Sequence, residues 1–335
     1  MVLWKRTTLI VAVISACLAT SERTLAAELE EDAVNRKPKS REEAAALLGK
    51  RIIFENNGDA SSVSLRGKDA TPEMFVAIEA FPELSGLGVL DADVDGATVV
   101  PTLQQLPNLT YVRFIRCSQI ADDVVPVVAA IPRLRDASFE GCPITDHGLP
   151  AILASQSLVA LWMSETAITD TGIAALAKLP TLGRLAVTDT AVTDAGLEAL
   201  RGHDRLAVVW ASGTKIGDDG MQHLATCPLL EEVLARRTHL TDAGIEAIAK
   251  AKKLKLLYAS GRFSQRSLTA LSACTDLHTF LLEGEIDLGD EDVEMVASFK
   301  RCRSVTLLGS RITDAGTARI KELLPNTRID IGPPE

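Results

Sequence analysis

The sequence predicts an α/β solenoid in which short parallel strands line a concave sheet and one helix per turn covers the convex side. Three observations predict it. Segments of 24 residues resemble one another: LVALWMSETAITDTGIAALAKLPT (158–181), LGRLAVTDTAVTDAGLEALRGHDR (182–205) and LEEVLARRTHLTDAGIEAIAKAKK (230–253). Such self-similarity at a fixed short period marks stacked architectures. Each segment divides into a half of alternating apolar residues and a half of helical period. The composition, 47% hydrophobic but only 4% aromatic over 335 residues, is too apolar for a disordered chain.

The units begin near residues 60, 84, 109, 134, 158, 182, 206, 230, 254, 277 and 302, about eleven in all, and a closing strand is expected at 328–331. In the first half of a unit, Leu158, Leu161 and Met163 point one way while Ala160, Trp162 and Ser164 point the other, the period of a strand with one buried face. In the second half, Thr169 is placed to cap a helix, and Asp170 sits in its first turn, where the helix dipole favours negative charge. Ile168 and Ile173 take the two positions of a hydrophobic staple, a pairing repeated at Ile144/Leu149, Val192/Leu197 and Leu240/Ile245. Pro72 follows Thr71 at the first helical position. Pro82, Pro107, Pro132, Pro180 and Pro228 each end a helix just before the next unit. One such unit cannot bury its apolar side alone, but a stack can. About eleven rungs at ~4.8 Å give an inner arc of roughly 50 Å.

Residues 1–27 read as an export signal. Lys5 and Arg6 precede an apolar stretch over 9–19 that is too short to span a bilayer, and small residues follow. Cleavage after Ala27 would release a soluble chain. Alternatively, Ile14-Ser15-Ala16-Cys17 resembles a lipoprotein box, with Cys17 as the lipidation candidate. The expected location is periplasmic, cell-envelope or secreted, with membrane attachment only if Cys17 is lipidated. Residues 28–40 are expected to be a flexible linker, and 41–59 an N-terminal cap of one helix and a hairpin strand turning at Asn57-Gly58. The repeat domain then runs over 60–335.

At this level the units resemble leucine-rich repeats of the ribonuclease-inhibitor and cysteine-containing type. The Thr-Asp-Ala-Gly signature at 193–196, 241–244 and 313–316 is similar to that of exported bacterial members. The resemblance covers about residues 60–331 and implies a horseshoe-shaped binding scaffold. The family's Asn or Cys ladder position is here Cys117 and Cys142, then Thr166, Thr190, Thr214 and Thr238. The ladder becomes irregular near Gly261, Arg262 and Glu285, where a kink or bulge is expected.

Candidate chemistry is sparse. The net charge of −10 excludes a main role in holding nucleic acid, which needs a basic face. Beyond Cys17 there are five cysteines; Cys117 and Cys142 stand one rung apart and read as stacked thiols more readily than as a disulfide. No CxxC pair supports zinc, and no Gly-rich loop precedes a Lys-Ser/Thr. His147, His203, His223, His239 and His278 lie on different repeats with no nucleophile beside them. The acidic run from Glu283 to Glu294 reads as a solvated helix start rather than a calcium site. Neither a cofactor nor a metal is expected, and no enzymatic activity.

The informative residues are aromatic. Tyr111, Trp162, Trp210 and Tyr258 all fall on outward positions of the concave strands. Trp162, Trp210 and Tyr258 share one slot on alternate rungs, which predicts a row at about 10 Å spacing with Ala186 and Leu234 between. Exposed aromatic rings are favoured at binding hot spots. With Arg113, Arg184 and Arg236 among the bordering charges, this row is the expected contact surface for a protein or peptide partner. The alternative is a carbohydrate-binding module that stacks sugars on the rings. An intracellular ubiquitin-ligase adaptor, which the family also suggests, lacks a helical segment before residue 60 to fit it.

Overall fold

The computed structural model describes residues 37–55 and 58–333. The expected leader, Cys17, most of the expected linker and Asn57 of the hairpin turn lie outside those residues. Within them a single sheet of thirteen strands runs in chain order. The strands are β1 (Ile52–Phe54), β2 (Ala60–Arg66), β3 (Gly86–Leu90), β4 (Tyr111–Ile115), β5 (Asp136–Ser138), β6 (Ala160–Trp162) and β7 (Arg184–Ala186). They continue with β8 (Val208–Trp210), β9 (Glu232–Leu240), β10 (Leu256–Ser264), β11 (Thr279–Asp287), β12 (Ser304–Leu308) and β13 (Arg328–Gly332). β1 pairs antiparallel with β2, and every later neighbour is parallel. Parallel neighbours need a crossover, and the second half of each unit supplies it. The eleven units thus become β2 to β12, and β13 closes the stack.

The alternate strand residues that face the helices form one continuous core. Val112, Leu161, Leu185, Val209, Val233 and Leu257 are buried, as are the staple residues Ile168, Ile173, Val192 and Leu197. At the amino end, Ser40 caps the helix Arg41–Leu48 by accepting from the Glu43 N–H. Thr169, Thr193 and Thr241 cap their helices through their side chains, and Pro72 stands in the first turn after Thr71. The helical half is shortened in several units, the third and fourth among them. Only Val125–Ala129 is α-helical in the third, and in the fourth the segment Leu149–Ala154 is 3₁₀. There Pro150 has no N–H to give an i→i−4 bond.

The aspartate of the signature does more than meet a helix dipole. The Asp170 carboxylate accepts the backbone N–H (2.7 Å) and the hydroxyl (2.7 Å) of Thr193, the cap of the next unit. The same double bond joins Asp122 to Thr145, Asp146 to Thr169, Asp218 to Thr241, Asp242 to Ser264 and Asp290 to Thr313. Asp194 meets Gly217, which offers only its N–H, at 2.6 Å. The chain of bonds breaks where Gln265 replaces the aspartate, and the Gly289 N–H turns to Asp292 of its own unit instead. The signature glycine completes the device. A Cβ at Gly172, Gly196, Gly220 or Gly244 would stand 2.4–2.5 Å from the preceding unit's aspartate oxygen. At the unit lacking this glycine, Ser267 instead donates its hydroxyl to Asp242 at 2.6 Å.

Partial burial, the largest single influence, raises the Asp242 pKa. The side-chain and backbone bonds from Ser264 and Ser267 outweigh it and leave the carboxyl below its usual range. A lowered folded pKa means that the unfolded chain binds the extra proton, so the stabilisation is complete above the ordinary aspartate pKa and is lost as pH falls through the lowered value. Asp242→Asn should therefore flatten the acid limb of the stability–pH curve measured by urea unfolding. An unchanged limb would remove Asp242 from acid denaturation.

Asp170→Ala should cost about 1.5–3 kcal/mol in the same assay. Gly196→Ala would ordinarily stabilise a helix by about 0.5–1 kcal/mol. Here it should destabilise, and by less in the Asp170→Ala background, where the 2.5 Å clash with the carboxylate is gone.

Candidate functional site

The open sheet face carries three columns of side chains, one per outward strand position. The register places Arg113, Ser138, Trp162, Ala186, Trp210, Leu234, Tyr258 and Leu281 on one continuous line. Tyr111, Asp136, Ala160, Arg184, Val208 and Glu232 lie on the column before it. Ser212, Arg236, Ser260 and Glu283 border the other side, two residues further along their strands. The expected site residues are thus brought to one face, and Trp162, Trp210 and Tyr258 share a column.

The expected 10 Å spacing does not hold for the rings of Trp162 and Trp210. Their centroids are 4.9 Å apart with planes at 57°. The rungs between them carry only Ala186, and the indoles lean together over it, leaving it 1% exposed. Ala160 and Val208 beside them are buried as well. A side chain no larger than a methyl lets the pair close, and tilted ring contact is favourable beyond area burial alone. Trp162 Nε1 donates to Asp136 Oδ2 at 3.1 Å. Trp210 Nε1 is shielded from solvent and has no partner among the described residues, a deficit of the kind that costs about 1–3 kcal/mol.

Tyr111 does not project into the groove. A Cβ at Gly86 would stand 1.9 Å from its ring, so Tyr111 lies across that glycine. The Arg113 guanidinium stacks over the ring at 5.2 Å and approaches Asp136 at 3.7 Å. Arg236 pairs with the buried Glu283 carboxylate at 3.1 Å, and the Ser260 hydroxyl donates to the same oxygen. Leu234 and Tyr258 remain partly exposed along the central column. Arg184 is exposed and makes no side-chain bond or ion pair with a described residue. Sequence reasoning missed the roles of Asp136, Ser260 and Glu283. Their signal was the shared register with Trp162 and Arg236.

The rim next to this face is charged and internally paired. Along this rim the backbone turns left-handed at Asp91, Arg116, Glu165, Asp189 and Arg237, with φ between 51° and 57°. Arg237 reaches across Gly213 to hold both oxygens of Asp189 at 2.7 and 2.6 Å. Asp91 accepts from Arg116 and Arg66, which hold its carboxyl below the usual range, Arg116 contributing first. β9 to β11 lengthen to nine residues; β9 contains the turn at Arg237, and past it β10 and β11 carry Gly261 and Gly284 instead. The register slips between Ala259 and Gly261, at the expected irregularity. Gly261, Gly284 and Gly309 there press against the carbonyls of Leu240, Gly261 and Gly284, too close for any Cβ. A cleft of about 710 Å³ opens above them, lined by His239, Arg262 and Glu285, but Arg262 and Glu285 pair with each other at 3.0 Å.

The described cysteines are free thiols. Contact between Cys117 and Cys142 lowers the pKa of the first and raises that of the second, and burial raises both. Burial pushes Cys274 and Cys302 up to about 11. Thr166, Thr190, Thr214 and Thr238 each donate a hydroxyl bond to the carbonyl three residues back, at 2.6–2.7 Å. His203 bonds the Leu179 carbonyl at 3.1 Å. The acidic run is absorbed by Asp290 in the inter-unit bonds and Asp292 in its own turn. No group of residues that could hold a metal ion occurs among the described residues.

No protein-family model matches the sequence, and no curated protein matches it. Solved structures do. An internalin (inlF) of Listeria monocytogenes superposes with a TM-score of 0.55 at 17% identity, over 89% of this chain and 96% of that one. Internalin C2 of the same organism gives 0.51 at 19%, over 75% and 95%. A leucine-rich-repeat protein of Leptospira interrogans gives 0.42 at 14%, over 76% and 74%. The fold is a leucine-rich-repeat solenoid, similar to the internalins in architecture.

Ala186→Leu should wedge the indoles apart. We expect loss of the tryptophan exciton couplet in far-ultraviolet circular dichroism and a cost of about 1–3 kcal/mol. Ala186→Gly should keep the couplet. Its persistence in the leucine variant would contradict the contact over Ala186.

Proposed function

We propose that this protein is a non-enzymatic binding scaffold that takes a protein or peptide partner on its open sheet face, between Arg113 and Tyr258. The observation that carries this reading is the central column. Two contacting indoles, Leu234, Tyr258 and Leu281 form an apolar line with polar and charged neighbours on both sides, the layout of a hot spot with a polar rim. The repeats are read as ribonuclease-inhibitor-like, on the strength of their 24-residue period and of the helices in most units. Export rests on the leader sequence, with Cys17 as the lipid attachment point if the chain is anchored.

The alternative is a carbohydrate module. Sugar stacking uses open ring faces, and here each indole turns partly against the other, which favours the protein reading. The double variant Trp162→Ala/Trp210→Ala should lose, by tenfold or more, the partner that immobilised wild-type protein retains from a cell-envelope fraction. Retention unchanged in that variant would move the site off this face. A tryptophan fluorescence response to envelope glycans, with no protein retained, would favour the carbohydrate reading.

A further inference from the structure

We propose that the open face anchors the free C-terminal carboxylate of an extended peptide between Arg184 and Trp210, with the peptide's apolar side chains lying over Leu234, Tyr258 and Leu281. This rests on the reading that the sheet face binds a peptide. Two register-equivalent places on the sheet carry it. Asp136 pairs across the sheet with Ala160, two residues before Trp162. Arg184 pairs with Val208, two residues before Trp210. Arg184 therefore stands to Trp210 as Asp136 stands to Trp162.

At the first place the Trp162 N–H donates to Asp136 Oδ2, and the other carboxylate oxygen, which accepts no hydrogen bond, faces Arg113 at 3.7 Å. At the second, a guanidinium replaces the carboxylate. The Trp210 N–H has no acceptor, and Arg184 has no partner among the described residues. Two adjacent donor groups lack one acceptor, and a carboxylate matches a guanidinium fork and a neighbouring N–H in both shape and charge. A small turn of the indole presents that N–H to the entering group.

The position of the anchor along the column selects a chain terminus. On the amino side of Trp162 the column turns polar, with Ser138, then Arg113. On the other side Leu234, Tyr258 and Leu281 continue it. The apolar track thus runs three rungs from Trp210 to Leu281 but ends at Trp162 on the other side, an asymmetry that suits a chain ending at the anchor. From the Arg184 rung to the Leu281 rung is on the order of 19 Å, about six extended residues.

The test uses the full-length protein, immobilised, and N-acetylated hexapeptides randomised among Leu, Val, Thr and Ser, supplied as free acids and as C-terminal amides. We expect the acids to be retained about tenfold more than the amides. Arg184→Gln should abolish that preference, and Trp210→Phe, which keeps a ring but removes the N–H, should reduce it. Equal retention of acids and amides, lost in the Trp162→Ala/Trp210→Ala variant, overturns the carboxylate anchor and leaves the sheet face as the site. Amide peptides carrying an internal Asp that bind as well as free acids overturn the terminal assignment. Retention of neither overturns the inference, and the envelope experiment above then judges the sheet face independently.

Discussion

Everything on the open face depends on the step from one unit to the next. A unit of one short strand and one short helix hides its apolar side only against its neighbour. Hydrophobic burial drives that stacking but is indifferent to small slips and rotations. The carboxylate bonds from Asp122, Asp146, Asp170, Asp194, Asp218 and Asp242 to the following cap are directional. They tie each helix start to the next at one distance. Constant register across β5 to β9 follows, and with it the alignment of Trp162, Ala186, Trp210 and Leu234.

The same bonds explain why a glycine, a poor helix former, recurs inside so many helices of this chain. Its absent side chain is occupied space, filled by the neighbour's carboxylate. Helix propensity is surrendered locally to secure the array, a case of tertiary packing overruling an intrinsic preference. Where the device lapses at Gln265, the strands around it are the long ones, and the rim turn is replaced by glycines packed on carbonyls. The irregular stretch remains in the sheet because backbone bonding between β10 and β11 runs unbroken over nine residue pairs.

Much of this was legible in the sequence. Strand positions, helix caps, the count of units and the shared column of Trp162, Trp210 and Tyr258 all follow from period and residue type, because these dictate which way a Cβ points. What period does not dictate is where a long side chain goes after its Cβ. The lean of two indoles over Ala186, the fold of Tyr111 across Gly86 and the reach of Arg237 over Gly213 are set by the small residues beneath them. The aspartate showed the limit most clearly. Its place in the first helical turn was plain, but its partner is 23 residues away, and helix-dipole reasoning, being local, did not look there.

The open face also differs in charge from the molecule as a whole. The chain is acidic, with 45 acidic against 35 basic residues, yet along the sheet arginines and carboxylates alternate and largely consume one another: Arg113 with Asp136, Arg116 with Asp91, Arg236 with Glu283, Arg237 with Asp189. Pairs already made offer a partner little, because binding would have to break them first. Selectivity on such a surface belongs to the groups left over. Among the described residues these include the exposed Arg184 guanidinium and the shielded Trp210 indole N–H, on neighbouring rungs beside the apolar track. Their spare donors are what would distinguish one apolar segment from another.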